Sequence, residues 1–231
     1  MYPIFGINIE YLLIILIGVV GLIVQARLQS VFNKYSRVSF PGMMTGRDVA
    51  EKMLRDNGIY DVKVTSTPGH LTDHYNPATK TVNLSESVYG SSSISAAAVA
   101  AHECGHAVQH ARGYAPLEMR SKLVPIISFS SMWSTWVIIG GLLLINTFPA
   151  LFWIGILMVA VSALFSLVTL PVEYNASSRA LQWLESSRTL QGVQLQQAST
   201  ALRWAARTYL VAALSAIATL LYYLSLARGR D

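Results

Sequence analysis

The fifty residues from Leu123 to Val172 contain no Asp, Glu, Lys or Arg, and this uncharged run constrains the fold more than any other feature. Roughly a quarter of the residues in a soluble domain are charged. Here only 13% of the 231 residues are charged and 53% are hydrophobic, so a soluble globule is excluded. A bilayer core of about 30 Å takes about 20 apolar residues in a helix, and the run is long enough for two crossings. The sequence therefore predicts a membrane protein.

Four apolar stretches reach the length of a transmembrane helix. The uncharged run divides at the turn INTFP, and the other two stretches lie near the ends of the sequence. The predicted spans are residues 7–24, 124–144, 148–170 and 208–226. A signal peptide is the alternative for the first span, but no Lys or Arg precedes it and no small-residue cleavage site follows it. We therefore predict a predominantly α-helical multi-pass protein with four transmembrane helices in the lipid bilayer.

The distribution of basic residues predicts the orientation, because cytoplasmic loops are enriched in Lys and Arg. Residues 28–122 and 173–207 carry Lys or Arg next to the spans, whereas the amino end and the INTFP turn carry none. Both segments are therefore predicted to be cytoplasmic, in a protein of the cell membrane whose two termini face outside. Arg228 and Arg230 at the carboxyl end depart from this rule. The formal net charge of +5 follows from this topology, so no nucleic-acid partner is predicted.

Residues 28–122 have the pattern of a small α+β domain. Thr45 and Asp48 predict the capped start of an amphipathic helix. The alternating residues 61–66 and 80–85 predict a small antiparallel sheet, and residues 80–85 could be its edge strand, to which a substrate peptide adds. Several serines then precede an alanine-rich stretch, which predicts a helix over residues 96–111.

That alanine-rich helix contains AAHECGHAVQH, a match to the H-E-x-x-H pattern. His102 and His106 are four residues apart, so a helix places both imidazoles on one face, where they can bind one Zn²⁺ ion. Glu103 follows the first histidine and lies beside the metal, where it can take a proton from zinc-bound water. The pattern predicts a catalytic zinc site with Glu103 as the general base.

A catalytic zinc ion of this kind has a third protein ligand. His110 lies about 12 Å along the helix axis from His102, too far to share one ion without a break in the helix. Glu173 follows the third span at its predicted cytoplasmic end, on the same side of the membrane as the two histidines. The sequence therefore predicts one catalytic Zn²⁺ bound by His102, His106 and Glu173.

Four segments of the chain resemble the YugP-like neutral zinc metallopeptidases of bacteria, across most of residues 38–185. They are TGRDVAEKMLRDNGIYDV, GHLTDHYNPATKTVNLS, AAAVAAHECGHAVQH and LPVEYNASSRAL. The HECGH helix, the transmembrane hairpin and EYNAS are also similar to the HtpX and CAAX prenyl protease metallopeptidases. Both resemblances imply a gluzincin-like metalloprotease domain with the same three ligands and the same base. The second group has an Asp in its E-x-x-x-D motif where this chain has Ser177.

The segment GHLTDHYNP offers further polar candidates, namely His70, Asp73, His74 and Tyr75. Imidazole and phenol groups could donate to an oxyanion or support a metal ligand, and turn formation explains the same residues nearly as well. We treat each of them as a candidate for contact with the reacting centre.

The resulting hypothesis is a zinc metalloendopeptidase that cuts peptides or proteins, including membrane-protein segments, at the cytoplasmic face. Two alternatives remain. An intramembrane protease of the site-2 type also carries HExxH, although this helix is rich in alanine and no LDG motif occurs. A non-enzymatic scaffold would hold zinc without turnover, and would have no need for a carboxylate base beside the metal.

Overall fold

A computed structural model describes residues 9–39 and 42–228 of the chain. Helices dominate, and a three-stranded sheet lies among them. Residues 7 and 8 of the first predicted span, and Arg230, lie outside the described residues. In chain order the elements are α1 (Ile9–Tyr35), α2 (Gly46–Asp56), β1 (Lys63–Thr67), β2 (His74–Asn76), β3 (Thr81–Ser85), α3 (Glu86–Tyr89), α4 (Ile94–Ala111), α5 (Ala115–Leu143), α6 (Pro149–Ser186) and α7 (Gly192–Arg228).

Four of these helices, α1, α5, α6 and α7, are long and apolar enough to cross a membrane. The prediction of a mostly helical protein with four candidate membrane helices is confirmed. Helix α6 is longer than the predicted third span, because it continues through Pro171 to Ser186 without interruption. Glu173 is therefore held on a continuous helix. The residues at which each helix enters and leaves the bilayer stay a prediction.

The described chain divides into two compact units. The first contains residues 9–23, 119–170 and 208–228, and the second contains residues 24–39, 42–118 and 171–207. Within the first unit, α5 and α6 approach closely at Gly141, where an added Cβ would lie 2.5 Å from the Cα atom of Phe152. Small residues at helix contacts allow this close packing, which is common where helices associate in a bilayer.

The sheet belongs to the second unit and has the strand order β1–β3–β2. Strands β1 and β3 pair in parallel, whereas β2 pairs antiparallel with β3. The predicted antiparallel pairing of residues 61–66 with residues 80–85 is therefore wrong, because the chain runs back along the sheet as β2 before it forms β3. The prediction of an edge strand over residues 80–85 is wrong for the same reason, since β3 is the central strand.

The two predicted helices of the second unit are confirmed with their caps. The Thr45 hydroxyl accepts from the Asp48 backbone N–H at 3.2 Å, and the Asp48 carboxylate accepts from the Thr45 backbone N–H at 2.8 Å. At the start of α4, the Ser93 hydroxyl accepts from the Ala96 backbone N–H at 3.2 Å. Nearly every residue of α4 is buried, because its many small side chains let neighbouring elements pack against all of its faces. The H-E-x-x-H pattern therefore lies on a helix that is packed on all sides.

Candidate metal centre

Helices α4 and α6 bring His102, His106 and Glu173 together in the second unit. The Oε2 atom of Glu173 lies 3.2 Å from Nε2 of His102 and 3.6 Å from Nε2 of His106. The ligand atoms of all three side chains lie within 4.8 Å of one another, and Glu173 is almost fully buried. These three residues form a cluster that could hold a metal ion.

The separations between these atoms fit a zinc ion. Bonds of about 2.0–2.1 Å in a tetrahedron place neighbouring ligand atoms about 3.4 Å apart. The two observed separations, 3.2 and 3.6 Å, lie on either side of that value. Two imidazole nitrogens and one carboxylate oxygen are also the ligand types of known catalytic zinc sites. Geometry and donor chemistry therefore agree with a zinc site.

Gly105 allows α4 and α6 to approach closely enough for this convergence. A Cβ atom added at Gly105 would lie 2.6 Å from the carbonyl oxygen of Ala176. That atom belongs to the backbone and cannot rotate away, so any larger residue would push the two helices apart. The glycine of HECGH therefore sets the spacing between the helix that carries the histidines and the helix that carries Glu173.

A network of side-chain hydrogen bonds determines which ring nitrogen of His106 carries the proton. The Gln109 amide nitrogen donates to the Val172 carbonyl oxygen at 2.8 Å and to Asn175 Oδ1 at 3.0 Å, so the amide oxygen faces Nδ1 of His106 at 3.0 Å. An amide oxygen only accepts, so Nδ1 of His106 carries a proton. In the neutral ring Nε2 then has the lone pair, and Nε2 is the atom directed at Glu173. This is the tautomer that a metal ligand requires.

Ser177 is the corresponding partner of His102. Its hydroxyl lies 3.1 Å from Nδ1 of His102, on the side of the ring opposite to the nitrogen that faces Glu173. Ser177 stands four residues after Glu173, where the E-x-x-x-D pattern has an Asp. A neutral hydroxyl in place of a carboxylate can still accept from Nδ1 and hold the ring, but it adds no negative charge to it.

Replacing Gln109 with Leu should weaken zinc binding by about 10–100-fold, because loss of an outer hydrogen-bond partner leaves the His106 tautomer and ring orientation unfixed. Zinc affinity of the purified protein, measured by competition with a chelator, checks this prediction. Gln182→Leu is the matched control, since Gln182 lies on the exposed side of α6. Equal zinc affinity in the Gln109→Leu variant and the wild type would show that the amide has no part in the metal site.

Glu103 is buried beside the cluster, and the backbone N–H of Tyr75 faces its carboxylate. Burial raises the pKa of Glu103 to about 7, the nearby His102 opposes this shift, and the negative charges of Glu173 and Asp73 add to it. A carboxyl group with a pKa near neutrality can both accept and return a proton at neutral pH. The arrangement therefore places a carboxyl group that can exchange a proton beside the candidate metal cluster.

Tyr75 and His110 contact each other without joining the metal cluster. The Tyr75 hydroxyl is 2.8 Å from Nδ1 of His110, and the two rings lie 5.8 Å apart. His110 is thereby engaged with β2, in agreement with its exclusion as a zinc ligand on grounds of spacing. Cys104 lies on the other side of α4, where its thiol points at the Ala50 carbonyl oxygen at 3.5 Å.

The other three candidates of GHLTDHYNP, which are Asp73, His74 and His70, lie outside the metal cluster and have different surroundings. The Asp73 carboxylate accepts from the backbone N–H of Ser85 at 2.7 Å and from the Ser85 hydroxyl at 3.1 Å. Both ring nitrogens of His74 are occupied, Nδ1 at 2.7 Å from the Thr72 carbonyl oxygen and Nε2 at 3.2 Å from the Asn83 amide. His74 therefore contacts the sheet rather than the metal cluster, while His70 lines a cavity beside Asp73. A role for any of them in the reaction stays a prediction.

Gln109 is the residue that the sequence reasoning missed. It follows His106 by three residues, so helical spacing alone places it on the same face of α4 as the two histidines. That signal was present in the sequence. The partners of Gln109 on α6, the Val172 carbonyl and Asn175, follow only from the contact between the two helices.

Comparison with known proteins gives consistent results. Residues 10–228 match the family described as "Putative neutral zinc metallopeptidase". The chain is 41% identical to the "Putative membrane protease YugP" of Bacillus subtilis (strain 168), over 90% of this chain and 92% of that protein. No solved structure matches the chain. The chain therefore belongs to this neutral zinc metallopeptidase family, which confirms the resemblance to the YugP-like proteins.

Proposed function

We propose that this member of the family is a membrane-embedded zinc metalloendopeptidase that hydrolyses peptide bonds, with Glu103 as the general base. The observation that carries the proposal is the convergence of His102, His106 and Glu173 beside the buried carboxylate of Glu103, which lies on α4 with the two histidines. A purely structural zinc site prefers four protein ligands, whereas this cluster offers three among the described residues. The names of the family and of the Bacillus protein support the same reaction class.

Each residue has a distinct part in the proposed reaction. His102, His106 and Glu173 would hold the zinc ion, which would supply a Lewis acid to polarise the peptide carbonyl and make water a stronger nucleophile. The Glu103 carboxylate accepts a proton from the attacking water as the water oxygen bonds to the carbonyl carbon. The same carboxyl then returns the proton to the amide nitrogen as the C–N bond breaks. Burial of Glu103 keeps bulk water from competing for that proton.

Strand β2 offers a place for the substrate backbone. Among the described residues, β3 is the strand neighbour of β2, so the other edge of β2 carries no strand and is the edge to which a peptide would add. Tyr75 at the centre of β2 already directs its backbone N–H toward Glu103. An extended peptide that adds to this edge would pass next to the proposed base, and backbone hydrogen bonds would align it. The substrate edge is thus assigned to β2 rather than to residues 80–85.

The cytoplasmic face is proposed for the active site because Lys and Arg flank the spans within residues 28–122 and 173–207. The chain suits a labelling test, since Cys104 is its single cysteine and is buried. Burial also raises the pKa of the Cys104 thiol, so the reactive thiolate is scarce. Background labelling of the natural chain should therefore be low.

A membrane-impermeant maleimide is expected to leave a Tyr60→Cys variant unlabelled in intact cells. In inverted vesicles the same reagent should label this variant fully. Tyr60 is 81% exposed in the unit that carries the metal cluster. Thr147→Cys, in the turn between α5 and α6, is the matched control and should be labelled in intact cells. Labelling of Tyr60→Cys in intact cells would place the site on the outer face instead.

The activity itself is tested by metal removal. The purified protein in detergent should cleave unstructured peptides, lose this cleavage after zinc is removed by a chelator, and regain it when zinc is added back. Zinc-independent cleavage, or zinc binding without cleavage of any peptide in a diverse pool, would contradict the proposed function.

A further inference from the structure

A cavity of about 410 Å³ lies in the second unit, which also contains the candidate metal cluster. The last turns of α1, the segment before β2 and the first turns of α3 and α4 surround it. Its apolar wall is formed by Leu28, Phe32, Leu71, Val88 and Val99. Pockets of about 300–1,000 Å³ with mostly apolar walls and a few fixed polar groups are typical of ligand sites. The volume is ample for one long side chain.

The electrostatic character of the cavity depends on Asp73. Among the described residues that line the cavity, Asp73 is the acidic one, and neither Lys nor Arg lines it. The hydrogen bonds from the Ser85 backbone N–H and hydroxyl, at 2.7 and 3.1 Å, hold the carboxylate in place. A carboxylate has about four lone-pair sites, so two acceptor positions remain for a ligand. The cavity therefore joins an apolar wall to a single carboxylate among Gln, Asn, Ser and His side chains, in a chain whose formal net charge is +5.

Two elements connect the cavity to the proposed reaction centre. Val99 precedes His102 by three residues on α4, so it lies on the same helix face, one turn before the metal cluster. Asp73 precedes Tyr75 by two residues, which is about 7 Å of extended chain, and the Tyr75 backbone N–H faces Glu103. A peptide bound along β2 as proposed would therefore pass close to both this cavity and Glu103.

We propose that this cavity is a specificity pocket for the side chain of a Lys or Arg residue of the substrate, next to the bond that is cut. This inference rests on the proposed peptidase function. The long aliphatic stem of Lys or Arg would pack against Phe32 and Val99, while its cationic end would meet the Asp73 carboxylate. An uncharged side chain of the same length would bury a similar apolar area but would leave the carboxylate without a counter-charge.

The test compares peptides that differ only in Lys or norleucine, which has an aliphatic side chain of similar length without the charge. At one position near the cleaved bond, wild-type protein should show a kcat/KM at least about tenfold higher for Lys than for norleucine. Asp73→Asn should reduce this ratio to near one, and Gln29→Lys, which adds a positive charge at the rim, should reduce it too. Glu86→Gln, an exposed carboxylate outside the cavity, should leave the ratio unchanged.

Binding of the same peptides to the zinc-loaded Glu103→Gln protein, measured by fluorescence anisotropy, separates this inference from the proposed function. Tighter binding of the Lys peptide, lost in Asp73→Asn/Glu103→Gln, supports the pocket even if the wild type cleaves no peptide. Equal binding of the Lys and norleucine peptides would overturn the pocket. An unchanged preference in both the Asp73→Asn and the Gln29→Lys variants would also overturn it.

Discussion

Replacing Glu103 with Gln is expected to lower kcat for peptide cleavage by about 10²–10⁴-fold, the usual contribution of a general base. The amide has nearly the shape of the carboxyl group, but it cannot take the proton of the attacking water. Because the three proposed zinc ligands are untouched, the variant should keep its zinc. Steady-state cleavage of a fluorogenic peptide, together with metal analysis of the same sample, measures both quantities.

Glu86→Gln is the matched control for this substitution, since Glu86 is exposed on α3 and should tolerate the change without loss of cleavage. A Glu103→Gln variant with wild-type kcat would remove Glu103 from the mechanism. A variant that lost cleavage and zinc together would instead assign Glu103 to metal binding or to the packing of α4.

Replacing Glu173 with Ala should lower zinc affinity by more than the 10–100-fold expected for an outer partner such as Gln109, because a direct ligand is lost. Only His102 and His106 would remain, and two imidazoles alone leave a zinc ion open to chelators and solvent. Zinc content after dialysis should fall well below one ion per chain. The melting temperature of the wild type should drop when a chelator is added, whereas that of the variant should hardly respond.

Glu185→Ala provides the control on the same helix, since Glu185 is exposed near the end of α6 and lies outside the metal cluster. This variant should retain zinc and the chelator-dependent change in melting temperature. Wild-type zinc content in Glu173→Ala would mean that another side chain is the third ligand.

Local sequence patterns were sufficient to predict the helices and the placement of the two histidines on one helix face. Helical structure depends on hydropathy and capping over neighbouring residues, so both the four apolar helices and the capped helix α4 could be recognised in the sequence. His102 and His106 share a helix, and their convergence follows from helical geometry alone. Glu173 required an argument about membrane topology, because it comes from a helix far along the chain.

Contacts between distant segments could not be predicted in the same way. The three-residue strand β2 is too short to give an alternating pattern, and its turn-rich surroundings predict a loop. Missing β2 led directly to the wrong sheet pairing and the wrong edge strand. The hydrogen bonds of Gln109 and Ser177 depend on how closely α4 and α6 approach at Gly105, a distance that is set by tertiary packing.

The central claim is that this chain is a zinc-dependent peptidase, and a zinc titration of the purified apoprotein tests it most directly. Zinc is added in steps, and bound metal and peptide cleavage are measured on the same samples. The account predicts that cleavage rises in proportion to occupancy and levels off near one zinc per chain. Cleavage that is independent of zinc occupancy, or full occupancy without any cleavage, would contradict it.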